Sequence, residues 1–310
     1  MYVSTNRSQN PSKLRRDRER SERYQELKRA RNRDNESLLS TEAPPQSNFE
    51  TMPQPRKPPM LPTSYNTHPF TQIKTEHYES DPSIIILTLY RPKNHNAFTE
   101  TMMRELEEAY SMFDIDDRVK CVVFTGTGNI FCAGADLDLG FTGGKEPVTE
   151  HRDGGGRVVL AIHHCRKPTI GALQGSAVGV GITMTLPMNI RIAYAPSKIG
   201  FVFARRGLVM EACSSFFLPR LIGHSRAMQV VTTGATYPAS SDVWGGLFAE
   251  TCEKREDVLP RALEVASEVV RNTSSVSTYL VKEMMFRDKG DPERTHLLDS
   301  RILYELFSSG

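Results

Sequence analysis

The chain has 310 residues, a formal net charge of +2 and a hydrophobic fraction of 38%, enough for one or two domains but poor in apolar residues for a fully globular chain. No apolar run reaches the length of a membrane span, and the N-terminus lacks the apolar stretch of a secretory signal. The cysteines are odd in number and none forms a C-x-x-C pair, which argues against a disulfide or zinc framework and for a reducing compartment.

The apolar shortfall sits at the start. Lysines and arginines crowd the stretch from Lys13 to Arg33 against Asp17, Glu19, Glu22 and Glu26. The remainder is close to neutral, so no nucleic-acid partner is expected for the folded part. Leu14, Tyr24 and Leu27 are too few to bury a helix face, and a solvated tail is preferred over a partner-binding arm. Pro44, Pro45, Pro53, Pro55, Pro58, Pro59 and Pro62 follow, removing backbone donors and resisting helix. Residues 1–61 are therefore expected to be a disordered arm, and 62–310 a folded domain.

The domain opens with Ile84–Leu89, a β-branched run between Pro82 and Pro92 that reads as a buried strand. A helix is expected from about Thr99, with Met103, Leu106, Tyr110 and Phe113 on one stripe. Cys121–Thr125 is a second buried strand, ended by Gly126. Then come a strand over Thr169–Leu173, a Gly-rich turn into a helix at Gly175–Gly181, and a strand over Ile190–Ala193. Helices are expected near Phe216–Leu221, Asp257–Val270 and His296–Phe307. Strands alternating with helices give an α/β class with crossover connections.

Two loops carry the chemistry. Gly128–Leu137 follows a buried strand, and Gln174–Thr183 joins a strand to a helix. Small residues let a ligand approach the backbone, and free N–H groups at a helix start attract negative charge. Either loop alone reads as tight packing. Two converging turns would hold an oxyanion.

Three ordered strings carry a resemblance. Leu89–Phe98 is similar to an RPxxxNA segment, Phe131–Leu137 to an FxAGADL loop and Gln174–Gly181 to a GxAxGxG turn. In this order and spacing they resemble the enoyl-CoA hydratase/isomerase (crotonase) superfamily, from about Ile84 to near the end. The resemblance implies a crotonase (ClpP-like) fold of repeated β-β-α units with a helical C-terminal region, and homotrimers or hexamers. It implies an acyl-CoA substrate, coenzyme A being part of the substrate, with no permanently bound cofactor and no metal. By motif, the thioester oxygen would take N–H bonds from Ala135 and Val180. Coenzyme A would lie along Lys93, His95, Ala133, Asp136, Leu137 and Gly179.

Hydratases of the superfamily use two glutamates. Their places fall here on Thr183 and Phe203, neither of which serves as a base. Glu211, within Leu208–Pro219, resembles instead the single catalytic glutamate of peroxisomal delta-3, delta-2-enoyl-CoA isomerases. Apolar surroundings from Met210, Phe216 and Phe217 would raise its pKa. The competing reading of Glu211 is an N-cap or first-turn acid on the following helix. The favoured function is a double-bond shift from 3-enoyl- to 2-enoyl-CoA, in fatty-acid β-oxidation or a related biosynthetic pathway. The alternatives are a hydratase with substituted acids and, last, a protein that binds acyl-CoA without turning it over.

Other residues weigh less. Arg205 and Arg206 read as surface or interface residues, His151–Arg157 as a helix entry loop, and Cys213 as packing. His163, His164 and Cys165 lack further metal ligands. Relatives usually continue beyond the equivalent of Leu303–Gly310, so the C-terminus is expected to be shortened. Ser308-Ser309-Gly310 is no peroxisomal tripeptide. A peroxisomal or cytoplasmic location is expected, the former from the resemblance alone.

Overall fold

The computed structural model describes residues 59–136, 147, 149–286 and 290–308. Most of the expected N-terminal arm, and Leu137, lie outside them.

Strands β1 (Ile73–Tyr78) and β2 (Asp81–Leu89) pair antiparallel. The β-branched run expected as a strand is the body of β2. Helix α1 (Glu100–Ile115) follows, capped by the Thr99 hydroxyl, which accepts from the Met102 N–H at 3.1 Å. Its stripe of Met103, Leu106, Tyr110 and Phe113 is buried, as the periodicity predicts. Then come β3 (Cys121–Gly126), β4 (Ile130–Cys132) and α2 (Gly154–His164). Next are β5 (Thr169–Leu173), β6 (Ser176–Val178) and the single turn α3 (Val180–Thr183). The expected Gly-rich turn over Gly175–Gly181 thus contains a short strand. Strands β7 (Ile190–Tyr194) and β8 (Lys198–Gly200) lead to α4 (Ser214–Ile222) and α5 (His224–Thr233). Strands β9 (Thr236–Pro238) and β10 (Glu250–Cys252) precede α6 (Val258–Asn272), α7 (Ser275–Phe286) and α8 (Pro292–Ser308).

Six strands form one sheet in the order β1-β2-β3-β5-β7-β10, and four form a second in the order β4-β6-β8-β9. In each pair β3/β4, β5/β6 and β7/β8, the first strand joins the large sheet and the second the small one. This is the expected repeat of β-β-α units. Every residue of β3 and β5 is buried, because helices cover both faces of a parallel sheet. On one face Ile85, Leu87, Val122 and Phe124 pack with α1 in the main core. On the other Ile84, Ile86, Val123 and Ile170 meet Val258, Ala262 and Ala266 of α6. Buried Arg191 on β7 donates to the carbonyls of Thr185, Leu186, Met188 and Leu247. It thereby fixes the turn that follows α3.

Candidate active site

The parallel pairing of β4 with β6 joins the two Gly-rich loops, matching Ile130 to Ser176 and Cys132 to Ala177. Gly134 has φ +97°, and a Cβ there would stand 2.9 Å from the Val178 carbonyl oxygen. Gly179 has φ 58° and ψ −128°, a conformation that strains any residue with a Cβ. A Cβ at Gly179 would lie 3.9 Å from the Gly134 Cα. The two backbones therefore pass side by side. Phe98 occupies one edge of the first loop, donating to the Gly134 carbonyl at 2.8 Å and accepting from the Asp136 N–H at 2.9 Å. In this parallel bridge the Ala135 N–H points to the other side. Val180 opens α3, where an N–H has no partner within the helix. Each loop so presents one backbone donor directly after its glycine.

One turn along α3, buried Thr183 donates from its hydroxyl to Glu211 Oε1 at 2.6 Å. This bond brings a carboxyl to the converged loops. Phe203, at the other place where hydratases carry an acid, sets its ring edge against Gly179, 4.0 Å from where a Cβ would sit. The competing reading of Glu211 as a first-turn helix acid does not hold. Helix α4 begins at Ser214 with Cys213 as its cap, and the Glu211 side chain turns to Thr183 instead. Ala212 and Cys213 have φ of 56° and 54°, a left-handed pair that L side chains adopt at a cost. The Glu211 carbonyl, bonded by the Ser214 N–H at 3.0 Å and by the Ser214 hydroxyl, closes this turn.

A second carboxyl faces the first. Asp153 caps α2, accepting from the Gly156 N–H at 2.5 Å, and its Oδ1 also accepts from the Ala212 N–H at 3.3 Å. Burial pushes the Glu211 carboxyl up to about 8; the Thr183 bond opposes this, and the neighbouring Asp153 charge adds to it. The apolar surroundings named from the sequence contribute differently than expected, since Phe216 is exposed with Arg220 stacked on its ring. A Cβ at Gly155 would fall inside the Glu211 carboxyl. The glycine run 154–156 is thus where α2 makes room for Glu211. In the sequence His151–Arg157 reads as a helix entry loop in which Asp153 carries no role, whereas the helix already begins at Gly154. The available signal was an acid ahead of three glycines that weaken a helix start.

The remaining expected residues separate. Lys93, His95 and Ala133 are exposed along one rim, with the Ala133 N–H bonded to the His95 carbonyl at 3.1 Å. Asn96, buried with φ 53°, donates to the carbonyls of Thr127, Ile130 and Phe131 and accepts from the Arg91 N–H. Sequence reading missed this clamp between the first motif and the second. The Asp136 carboxylate accepts from Arg91 at 2.8 Å with little exposure. Arg205 and Arg206 are exposed, the former donating to the Thr233 carbonyl. His163 packs edge-on against Phe217 and Phe286. Cys213 is half-buried and packed against the main core.

The family profile described as enoyl-CoA hydratase/isomerase matches residues 79–310. The chain is 48% identical over 246 residues to the enoyl-CoA hydratase ACTT3 of Alternaria alternata, covering 79% of this chain and 83% of that one. A monofunctional enoyl-CoA isomerase from M. smegmatis superposes with a TM-score of 0.61 at 26% identity, over 73% of this chain and 98% of that one. The enoyl-CoA hydratase of Bacillus anthracis superposes with a TM-score of 0.68 over 76% and 90%, and at 24% identity it supports the fold alone.

Proposed function

The chain belongs to the enoyl-CoA hydratase/isomerase family, and from that premise we propose that it shifts the double bond of a 3-enoyl-CoA to the 2-position, with Glu211 as the base. The observation that carries the reading is the Glu211 carboxyl, held on Thr183 one turn from Val180. Glu211 takes a proton from C2, and the electron pair spreads over the C3–C4 double bond and the thioester oxygen. The Ala135 and Val180 N–H groups hold that oxygen's charge, an effect worth about 3–4 kcal/mol in comparable oxyanion sites. Glu211 then returns the proton to C4, so the atoms balance and the base is restored. No water takes part. Phe203 supports this by placing an apolar ring where a hydratase holds its second acid. Coenzyme A is proposed to lie along Lys93, His95, Ala133 and Gly179, with Asp136 bracing Arg91 beneath the loop.

Hydration is the second reading. The name of the 48% identical relative favours it, as does the second carboxyl at Asp153. The test supplies 3-enoyl-CoA and 2-enoyl-CoA of one chain length and identifies the products. The isomerase reading expects 2-enoyl-CoA to form from the first faster than 3-hydroxyacyl-CoA forms from the second. The reverse order replaces it with the hydratase reading.

A further inference from the structure

Asp153 has no role in the reading above, yet it touches the Glu211 turn at its most strained point. Its Oδ1 accepts from the Ala212 N–H, the first of the two left-handed residues, while the same oxygen caps α2 through Gly156. One carboxyl thus ties the start of α2 to the backbone beside Glu211. The glycine run leaves room for the Glu211 carboxyl over that helix start, within hydrogen-bonding reach of the Asp153 carboxyl. We propose that Asp153 is a positioning residue for Glu211, holding its turn through the Ala212 N–H and strengthening it as a base through an adjacent negative charge. The inference rests on the reading of Glu211 as the base.

The groups around Glu211 leave Asp153 as the charge that counts among the described residues. From α3, Glu211 receives the Thr183 hydroxyl. Its own turn adds the half-buried Cys213 thiol, whose ionisation burial pushes up. On the α2 side, Arg157 is paired with Glu107, and Arg152 donates to the Thr149 and His151 carbonyls. Arg205 is engaged by the Thr233 carbonyl. Among the described residues no cation pairs with Glu211 to offset Asp153. When Glu211 takes the substrate proton, the repulsion between the two carboxylates is relieved, which favours the transfer. That repulsion, together with a hydrogen bond that the protonated Glu211 gives to Asp153, lifts the Glu211 carboxyl beyond what burial alone does.

Asp153→Asn separates the two contributions. Asparagine caps a helix as well as aspartate and still accepts from Gly156 and Ala212, but it carries no charge. The experiment follows the Glu211 carboxyl in the full chain by 13C NMR with labelled glutamate, the signal being assigned by its loss in Glu211→Gln. In Asp153→Asn the Glu211 titration should move to lower pH. The rising limb of kcat/KM against pH should move with it. At pH 6.5 the fraction of its own plateau that the variant keeps should exceed the wild-type fraction by on the order of threefold. Asp153→Ser, a second neutral cap, should reproduce the shift. Folded Asn and Ser variants whose Glu211 titration stays in place would overturn the proposal. Should the titration move while Glu211→Gln keeps full activity, the base assignment fails and the coupling between the two carboxyls stands.

Discussion

Glu211 is held at the cost of its own ionisation, and that cost is measurable. Its pKa of about 8 lies above the ordinary 4.5, so the folded chain binds this proton more tightly than the unfolded one. Its contribution is neutral below the ordinary carboxylate range and becomes unfavourable as pH rises from about 4.5 through 8. Glu211→Gln removes the penalty. The variant should match wild type in stability near pH 4 and exceed it by on the order of 5 kcal/mol above pH 8. Urea midpoints across that range check this, and a difference independent of pH would contradict it. Gly155→Ala tests the same carboxyl from outside. Its methyl would occupy the place of the Glu211 carboxyl, so Glu211 must leave Thr183. Alanine also favours helix by about 1 kcal/mol over glycine. The expected outcome is a loss of turnover of at least tenfold without a loss of thermal stability.

At the scale of elements, the site depends on which turns meet. The β4–β6 pairing and the two glycines with positive φ bring together the loops that carry Ala135 and Val180, the two proposed donors. Val180→Pro removes one donor without breaking an intrahelical bond, since it opens α3. Turnover should fall by 10²-fold or more while the protein still folds; normal activity in the folded variant would contradict the oxyanion assignment. Helix α2, which presents Asp153 and Gly155, is anchored at its far end. Buried Lys282 of α7 donates to the carbonyls of Ile162 at 3.1 Å and Cys165 at 2.6 Å. Lys282→Met keeps the stem and orphans both carbonyls, so it should cost about 2–4 kcal/mol in thermal unfolding. The long elements were legible in the sequence, because Ile84–Leu89, Cys121–Thr125 and the α1 stripe repeat their apolar pattern over enough residues. Strands β4, β6, β8, β9 and β10 have three residues each, too few for a period to show. Thr183, Phe203 and Glu211 were legible by resemblance. Asp153 was not, because its partner Ala212 lies 59 positions along the chain and is reached only through the turn after β8.

At the scale of the molecule, the C-terminal helices leave apolar surface in water. Met285, Leu297, Tyr304 and Phe307 are each at least 70% exposed, and α8 has no buried residue. Such surface in a single copy favours association, in line with the trimers or hexamers that the resemblance implies. Sedimentation at micromolar concentration should give a trimer or hexamer, and a monomer would contradict that expectation. The central claim is narrower: one carboxyl, set beside two backbone donors, moves the proton of an enoyl-CoA. Its most direct test compares wild type with Glu211→Gln on 3-enoyl-CoA, measuring 2-enoyl-CoA formation alongside acyl-CoA affinity. Isomerisation should fall at least 10²-fold, the scale for losing a general base, with affinity little changed. A Glu211→Gln protein that isomerises 3-enoyl-CoA at the wild-type rate would contradict the claim.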